Sequence, residues 1–248
     1  MDTPTEKLIL GFKANKSNVE IHQHAAYQIV FTEDNPFQTS INNIQYDGIF
    51  GFIIKPKIAH SCICNQSILT VINVEPFSHL GKYLASKLGK NDTFILESKQ
   101  DLLFFFCIKQ GNISIQEILN SISVENEVKP IDDRILKSIF YIQENFKTEK
   151  FSILELAQFV CLSPSRLGSL FKQQIGSSIT KYLLWTRLRN AIFLILSNAD
   201  KSITEIAVES GFYDSAQMNK YMYQMFGIAP SKLRQKSDLI QFLEIKHN

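Results

Sequence analysis

Three histidines are the side chains of the first half best suited to chemistry. His22 and His24 stand two positions apart, and His60 follows further along the chain. On a strand, residues two apart share a face. The pair could therefore chelate a cation, hydrogen-bond within the fold, or face solvent. Three neutral imidazoles can hold zinc or copper, whereas iron calls for a carboxylate as well. No acidic residue is suitably placed, so neither a metal nor a cofactor is expected. His22, His24, Tyr27 and His60 are instead the polar candidates for contact with a small-molecule effector, in an interior otherwise lined by Ile, Phe and Tyr. Cys62, Cys64, Cys107 and Cys161 are unevenly spaced and fit neither a disulfide scaffold nor a zinc finger. No Ser/His/Asp set and no glycine-rich phosphate loop is present, so no catalytic residue is assigned and an enzyme is not expected.

The second half offers a different chemistry, that of exposed hydroxyl, amide and cationic side chains. Residues 1–130 carry a net charge of −2 and residues 131–248 a net charge of +4. From Leu156 to Ala199 there is no acidic residue, while Arg166, Lys172, Lys181, Arg187 and Arg189 all occur. A basic stripe of this kind suits a phosphate backbone.

The elements that position these residues are written as an internal repeat. Phe151-Ser-Ile-Leu-Glu-Leu-Ala157 returns as Lys201-Ser-Ile-Thr-Glu-Ile-Ala207. Each copy opens on a Ser-x-x-Glu capping box (Ser152/Glu155 and Ser202/Glu205). Each continues through an apolar helical pattern, a short turn and a second helix, ending at Gly176 or Gly227. This is helix-turn-helix order. The second helices are expected over Ser163–Ile175 and Asp214–Met225. Leu167, Leu170, Phe171, Met218, Met222 and Phe226 would face inward. Ser165, Arg166, Gly168, Ser169, Lys172, Ser215, Ala216, Gln217, Asn219 and Lys220 would face outward. Ser178 to Ser197, without Gly or Pro, reads as a long spacer helix between the units.

Ahead of the repeat, short runs rich in Val, Ile, Phe and Tyr (19–21, 27–31, 39–41, 49–54 and 68–74) alternate with turn residues and suggest a small barrel or sandwich. From Pro76 the spacing becomes helical: Phe77, Leu80, Leu84 and Leu88, then 102–108 and 115–122. The polar stretch Ser123–Pro130 marks a boundary. At 248 residues two domains are expected, over 1–125 and 131–248. The fold class is α+β. Met1–Lys7 does not resemble a leader, no apolar run is long enough to span a bilayer, and the expected compartment is the cytoplasm.

The residues Ile153-x-Glu-Leu-Ala157, Leu162-Ser-Pro164, Leu170-Phe-Lys172, Gly176, Tyr182-Leu183, Arg187-Leu188-Arg189-x-Ala191, Ile203-x-Glu-Ile-Ala207, Gly211-Phe212, Phe226-Gly-Ile-x-Pro230 and Arg234 resemble the DNA-binding domain of the AraC/XylS family of bacterial transcription regulators. The resemblance covers roughly residues 131–236. It implies seven helices, with the second helix of each unit in successive major grooves of double-stranded promoter DNA. Ser165, Gly168, Ser169, Ala216 and Lys220 then stand where the family reads bases, and Arg187 joins the DNA-binding set. It also implies a homodimer, formed through the helices after the barrel, and RNA polymerase as a further partner. Those helices could equally cap the barrel's own core. His22-x-His24 and Gly51-x4-Pro56-x3-His60-x4-Asn65 resemble the two motifs of a cupin-like effector domain over residues 15–80. A flanking glycine is missing, and Ile58 stands where a glycine is usual. Together these imply a sequence-specific regulator modulated by a small molecule or signal. The competing reading is a metal-dependent cupin-type enzyme fused to a DNA-binding module, with metal on His22, His24 and His60.

Overall fold

The computed structural model describes residues 8–109, 113–125, 131–198, 200–235 and 240–243. Residues 126–130, the end of the expected boundary, lie outside them. The first half is an antiparallel sheet organised on two long strands, β1 (Ile9–His22) and β6 (His60–Val74). β1 runs along one edge of β6 with a register shift between Val19 and His22, after which His22 pairs with His60. On the opposite edge β6 serves two partners in turn: β3 (Phe37–Ile41) against residues 60–63, and β2 (Tyr27–Thr32) against residues 69–74. One strand feeding two neighbours bends the sheet into a nearly closed barrel. β4 (Ile44–Ile49), β5 (Gly51–Ile54) and β7 (Thr93–Leu96) complete the order β4-β3-β6-β2-β5-β7.

Alternation along β2 divides the packing. Tyr27, Ile29 and Phe31 face one cluster with Ile9, Ile53, Ile72 and the helices, while Val30 faces another with Phe37, Ile41, Phe52 and Cys62. The helices after the barrel are α1 (His79–Leu88), α2 (Lys99–Phe105) and α3 (Ile115–Glu125). Their stripe of Leu80, Leu84, Leu88, Ile115, Ile118 and Ile122 is buried in this chain's own core. The apolar surface that suggested a pairing surface between chains is thus used internally. Phe77 stays exposed, ahead of the α1 cap Ser78.

The second half has seven helices among the described residues: α4 (Asp133–Asn145), α5 (Ile153–Phe159), α6 (Pro164–Ile175), α7 (Ile179–Ser197), α8 (Ile203–Glu209), α9 (Ser215–Phe226) and α10 (Pro230–Gln235). The repeat is visible in its hydrogen bonds. After α5, Leu162 N–H donates to the Ala157 carbonyl and Cys161 N–H to that of Gln158; after α8, Phe212 N–H donates to Ala207 and Gly211 N–H to Val208. These are two Schellman turns, each with a left-handed residue, Cys161 (φ 55°) or Gly211 (φ 83°). The caps differ. Ser202 and Glu205 form both halves of the capping box, whereas at Ser152 the described bond is the hydroxyl half, accepted from Glu155 N–H at 3.2 Å. No helix among the described residues is long and apolar enough to cross a membrane.

The sequence does not foresee that the last strand, β8 (Ile240–Leu243), returns to pair with residues 11–14 of β1. Leu8, Leu10 and Ala26 are likewise buried in the helical core. The contact between the halves includes one ion pair. Glu75 is fully buried at the end of β6; its Oε1 meets Lys181 Nζ at 3.1 Å and its Oε2 accepts from Phe77 N–H at 2.7 Å. A buried carboxylate left without its cation costs more than the pair contributes. Lys181→Met should therefore lower unfolding stability by about 2 kcal/mol, less than for a fully buried pair because the lysine is half exposed. Adding Glu75→Gln should restore most of that loss in urea titrations of the double variant.

Candidate nucleic-acid interface

The second helix of each unit is α6 or α9, and both are built by the same local rules. Ser163 and Asp214 cap their N-termini by accepting from the N–H of Arg166 (3.3 Å) and Gln217 (2.7 Å). Proline at the first position of α6 has no N–H to lose there. Gly176 and Gly227 end the two helices in the left-handed conformation.

Leu167, Leu170, Phe171, Met218, Met222 and Phe226 are buried, as their spacing requires. Ser165, Arg166, Ser169 and Lys172 are exposed on α6, with Gly168 half-buried among them. Ala216, Asn219 and Lys220 are exposed on α9, flanked by half-buried Ser215 and Gln217. Each helix thus presents a short polar face of hydroxyl, amide and cationic groups, the donors that meet base edges and phosphates.

α7 sets the pose of one face against the other. Its 19 residues rise about 28 Å. Its neighbours bury Tyr182, Leu183, Trp185, Leu188, Ala191, Ile192 and Ile195. Tyr182 meets Phe171 of α6 edge-on at 5.5 Å, and three residues on Trp185 meets Phe226 of α9 at 5.4 Å. One turn of α7 therefore holds the ends of both polar helices.

The basic stripe divides. Arg166 and Lys172 lie on the exposed face of α6. Lys181 is held by Glu75 and sits 4.5 Å from the Phe77 ring centre. Arg187 donates through Nε and Nη2 to the carbonyls of Phe146 and Thr148, both at 2.7 Å, at the end of α4. A cation there complements unsatisfied helix carbonyls. Burial lowers the Arg187 pKa. Arg189 donates to the Ile9 carbonyl of β1. Arg187 is thus apart from the polar faces of α6 and α9, serving as a strut between segments.

The N-terminal candidates also separate. His22, His24 and His60 come together, with ring centroids 4.2–5.6 Å apart. His24 does so from the turn beyond β1, not from a shared strand face. Burial first, and neighbouring imidazoles second, lower His24 to about 4 and His60 to about 3; His22 is lowered mainly by burial. Tyr27 points to the opposite face of β2, into the core under the helices, where burial raises its pKa. Gln28, next along the strand, meets His60 Nε2 at 3.0 Å and donates to Asn73 Oδ1 at 3.1 Å. Period-two alternation from Tyr27 was the signal that could have found Gln28. A separate surface cleft of about 450 Å³, lined by Phe94, Phe104, Phe105 and Cys107, lies beside α2.

Trp185 is the chain's single tryptophan, fully buried, and its Nε1 has no partner among the described residues. Trp185→Ala should cost about 3–5 kcal/mol by leaving a cavity between the two units. Trp185→Phe, which also removes the unpaired donor, should cost under about 1.5 kcal/mol. Urea unfolding followed by circular dichroism measures both.

Residues 156–236 match the family described as helix-turn-helix domain. The arabinose operon regulatory protein of Salmonella typhimurium is 34% identical over 125 residues, 50% of this chain and 44% of that protein. Its counterpart in Escherichia coli is 33% identical over 125 residues, 50% of this chain and 42% of that protein. The chain thus spans less than half the length of these two relatives. The crystal structure of ToxT from Vibrio cholerae O395 is similar over 92% of this chain and 96% of its own, at 14% identity and a TM-score of 0.47. In its second half this chain thus carries a helix-turn-helix domain over residues 156–236 and is similar there to the arabinose operon regulatory proteins.

Proposed function

We propose that this chain is a sequence-specific DNA-binding transcription regulator whose activity is set by a small molecule or signal at its N-terminal half. The observation that carries the reading is the pair of exposed polar faces on α6 and α9, held in one pose by a single buried helix. Two such helices about one turn of duplex apart suit consecutive major grooves. Ser165, Arg166, Gly168 and Ser169 would meet bases from α6, and Ser215, Ala216, Gln217, Asn219 and Lys220 from α9. Lys172 and Lys232 would meet phosphates. Arg187 would act on DNA indirectly, by fixing the end of α4. The arabinose operon relatives are regulatory proteins, in keeping with this role.

The division of labour follows the two halves, an effector part over 1–125 and a DNA-binding part over 131–248, working in the cytoplasm beside RNA polymerase. A homodimer would raise the effective concentration of the second DNA-binding domain. With the α1 and α3 stripes buried within the chain, it would pair through other surfaces.

Full-length protein should retain duplexes from randomised DNA, with affinity falling as salt rises. Phosphate contacts from Lys172 and Lys232 would give a log–log slope of about −2. Arg166→Ala should cost about 1–3 kcal/mol and relax preference at one base position if the guanidinium reads a base. Fluorescence anisotropy across a salt series measures both. Salt-independent binding, or no enrichment over random sequence, would refute the reading.

A further inference from the structure

The three histidines do more than meet. Each ring places Nδ1 against a main-chain carbonyl two residues away: His22 on Glu20 (2.9 Å), His24 on Ala26 (3.1 Å) and His60 on Ile58 (2.9 Å). A neutral imidazole that donates from Nδ1 presents Nε2 as a lone pair; His60 Nε2 also meets Gln28 Oε1 at 3.0 Å, a contact that metal ligation would replace. Donation of the other ring N–H to a carbonyl is also how proteins orient histidines that ligate metals. One nitrogen from each ring lies within 4.8 Å of the other two. His24 Nε2 is buried and has no partner among the described residues.

We propose that His22, His24 and His60 form a mononuclear site for a borderline divalent cation of the zinc type, and that its occupancy acts on the end of the second recognition helix. The donor set selects the metal class. Imidazole nitrogens without carboxylates suit zinc, cobalt, nickel or copper(II), and not magnesium or calcium, which take oxygen ligands. Cys62, two residues past His60 on β6, packs instead in the apolar cluster with Phe37, Ile41 and Phe52. Three protein nitrogens leave a fourth position for water.

The position of the site supplies the coupling. A Cβ placed on Gly227, the left-handed cap of α9, would stand 2.0 Å from His22 Cδ2. The imidazole therefore packs directly on the main chain that ends α9. Ala25, between His22 and His24 and the start of β2, donates its N–H to the Gln224 carbonyl in the last turn of α9 at 2.9 Å. Tetrahedral ligation at about 2.0–2.1 Å brings the nitrogens to about 3.4 Å from one another. Ligation would draw the three nitrogens, which lie within 4.8 Å of one another, to that spacing. His22 is the half-buried member and the one against α9, so contraction shifts it relative to the helix end. This second part of the proposal rests on the regulator reading above; the site itself does not.

The test uses the full chain after chelator treatment. Calorimetry with zinc chloride should give one ion per chain, and cobalt(II) should develop the intense visible bands of tetrahedral nitrogen ligation. His22→Ala and His24→Gln should each weaken zinc binding by on the order of 100-fold or more. Zinc should raise the melting temperature of the parent and not of His22→Ala, which shows that the folded variant has lost the ligand set. No zinc binding by the parent, or binding undiminished in both variants, overturns the site. Zinc bound stoichiometrically but without effect on affinity for a duplex selected by this chain overturns the coupling alone. Zinc bound with no specific duplex found under either condition overturns the coupling together with the regulator reading and leaves the site standing.

Discussion

The architecture of the second half depends on one helix being buried along most of its length. α7 carries apolar side chains on every side, so the two helix-turn-helix units pack around it. Tyr182 and Trp185, one turn apart, take the ends of α6 and α9 through Phe171 and Phe226. Close-packed interiors resist small displacements. The relative pose of the two polar faces is therefore set by core packing. The outward residues are free of that duty, and their identities can vary with the target while the pose is kept.

The same two helix ends meet the N-terminal half. Gly176, the cap of α6, lies so close to Phe77 that an added Cβ would stand 2.2 Å from its carbonyl oxygen; Gly227, the cap of α9, has the same relation to His22. His79 Nε2 lies 3.0 Å from the Gln174 carbonyl in the last turn of α6, as Ala25 N–H lies against Gln224 in α9. The glycines thus answer two demands: a left-handed end to each helix, and space for the other half of the chain. Glu75 with Lys181, Arg189 with the Ile9 carbonyl, and β8 paired to β1 join the halves further. A change in the barrel near Phe77 or His22 therefore acts where the polar helices end.

Much of the second half was legible in the sequence because its signals are local. Capping residues, apolar spacing and terminal glycines act within one or two turns, so α6, α7 and α9 fall within a residue or two of their expected limits. The inward and outward sides of α6 and α9 follow from helical period alone. The short strands of the first half were legible for a similar reason, by alternation and turn residues. The early part of β1, with Ile9–Leu10 followed by Gly11, Lys13 and Asn15, has no clean alternation. Its extended form comes from pairing with β6 along nearly its whole length.

What only the tertiary structure decided is where side chains with several uses are spent. Arg166 and Arg187 look alike in a basic run, yet the first is exposed on α6 and the second binds main-chain carbonyls at the end of α4. Tyr27 and His60 look like members of one polar set, but strand alternation sends Tyr27 to the helix side, and Gln28 takes its place. His22 and His24 meet His60 through a register shift and a turn, features of sheet pairing that no local pattern encodes. By itself the sequence determined the repeat, its two polar helices and the β character of the first half, because those rest on short-range backbone bonding and periodicity. The pairing of distant segments determined the rest, because a charge or an imidazole takes its role from the partner that folding brings to it.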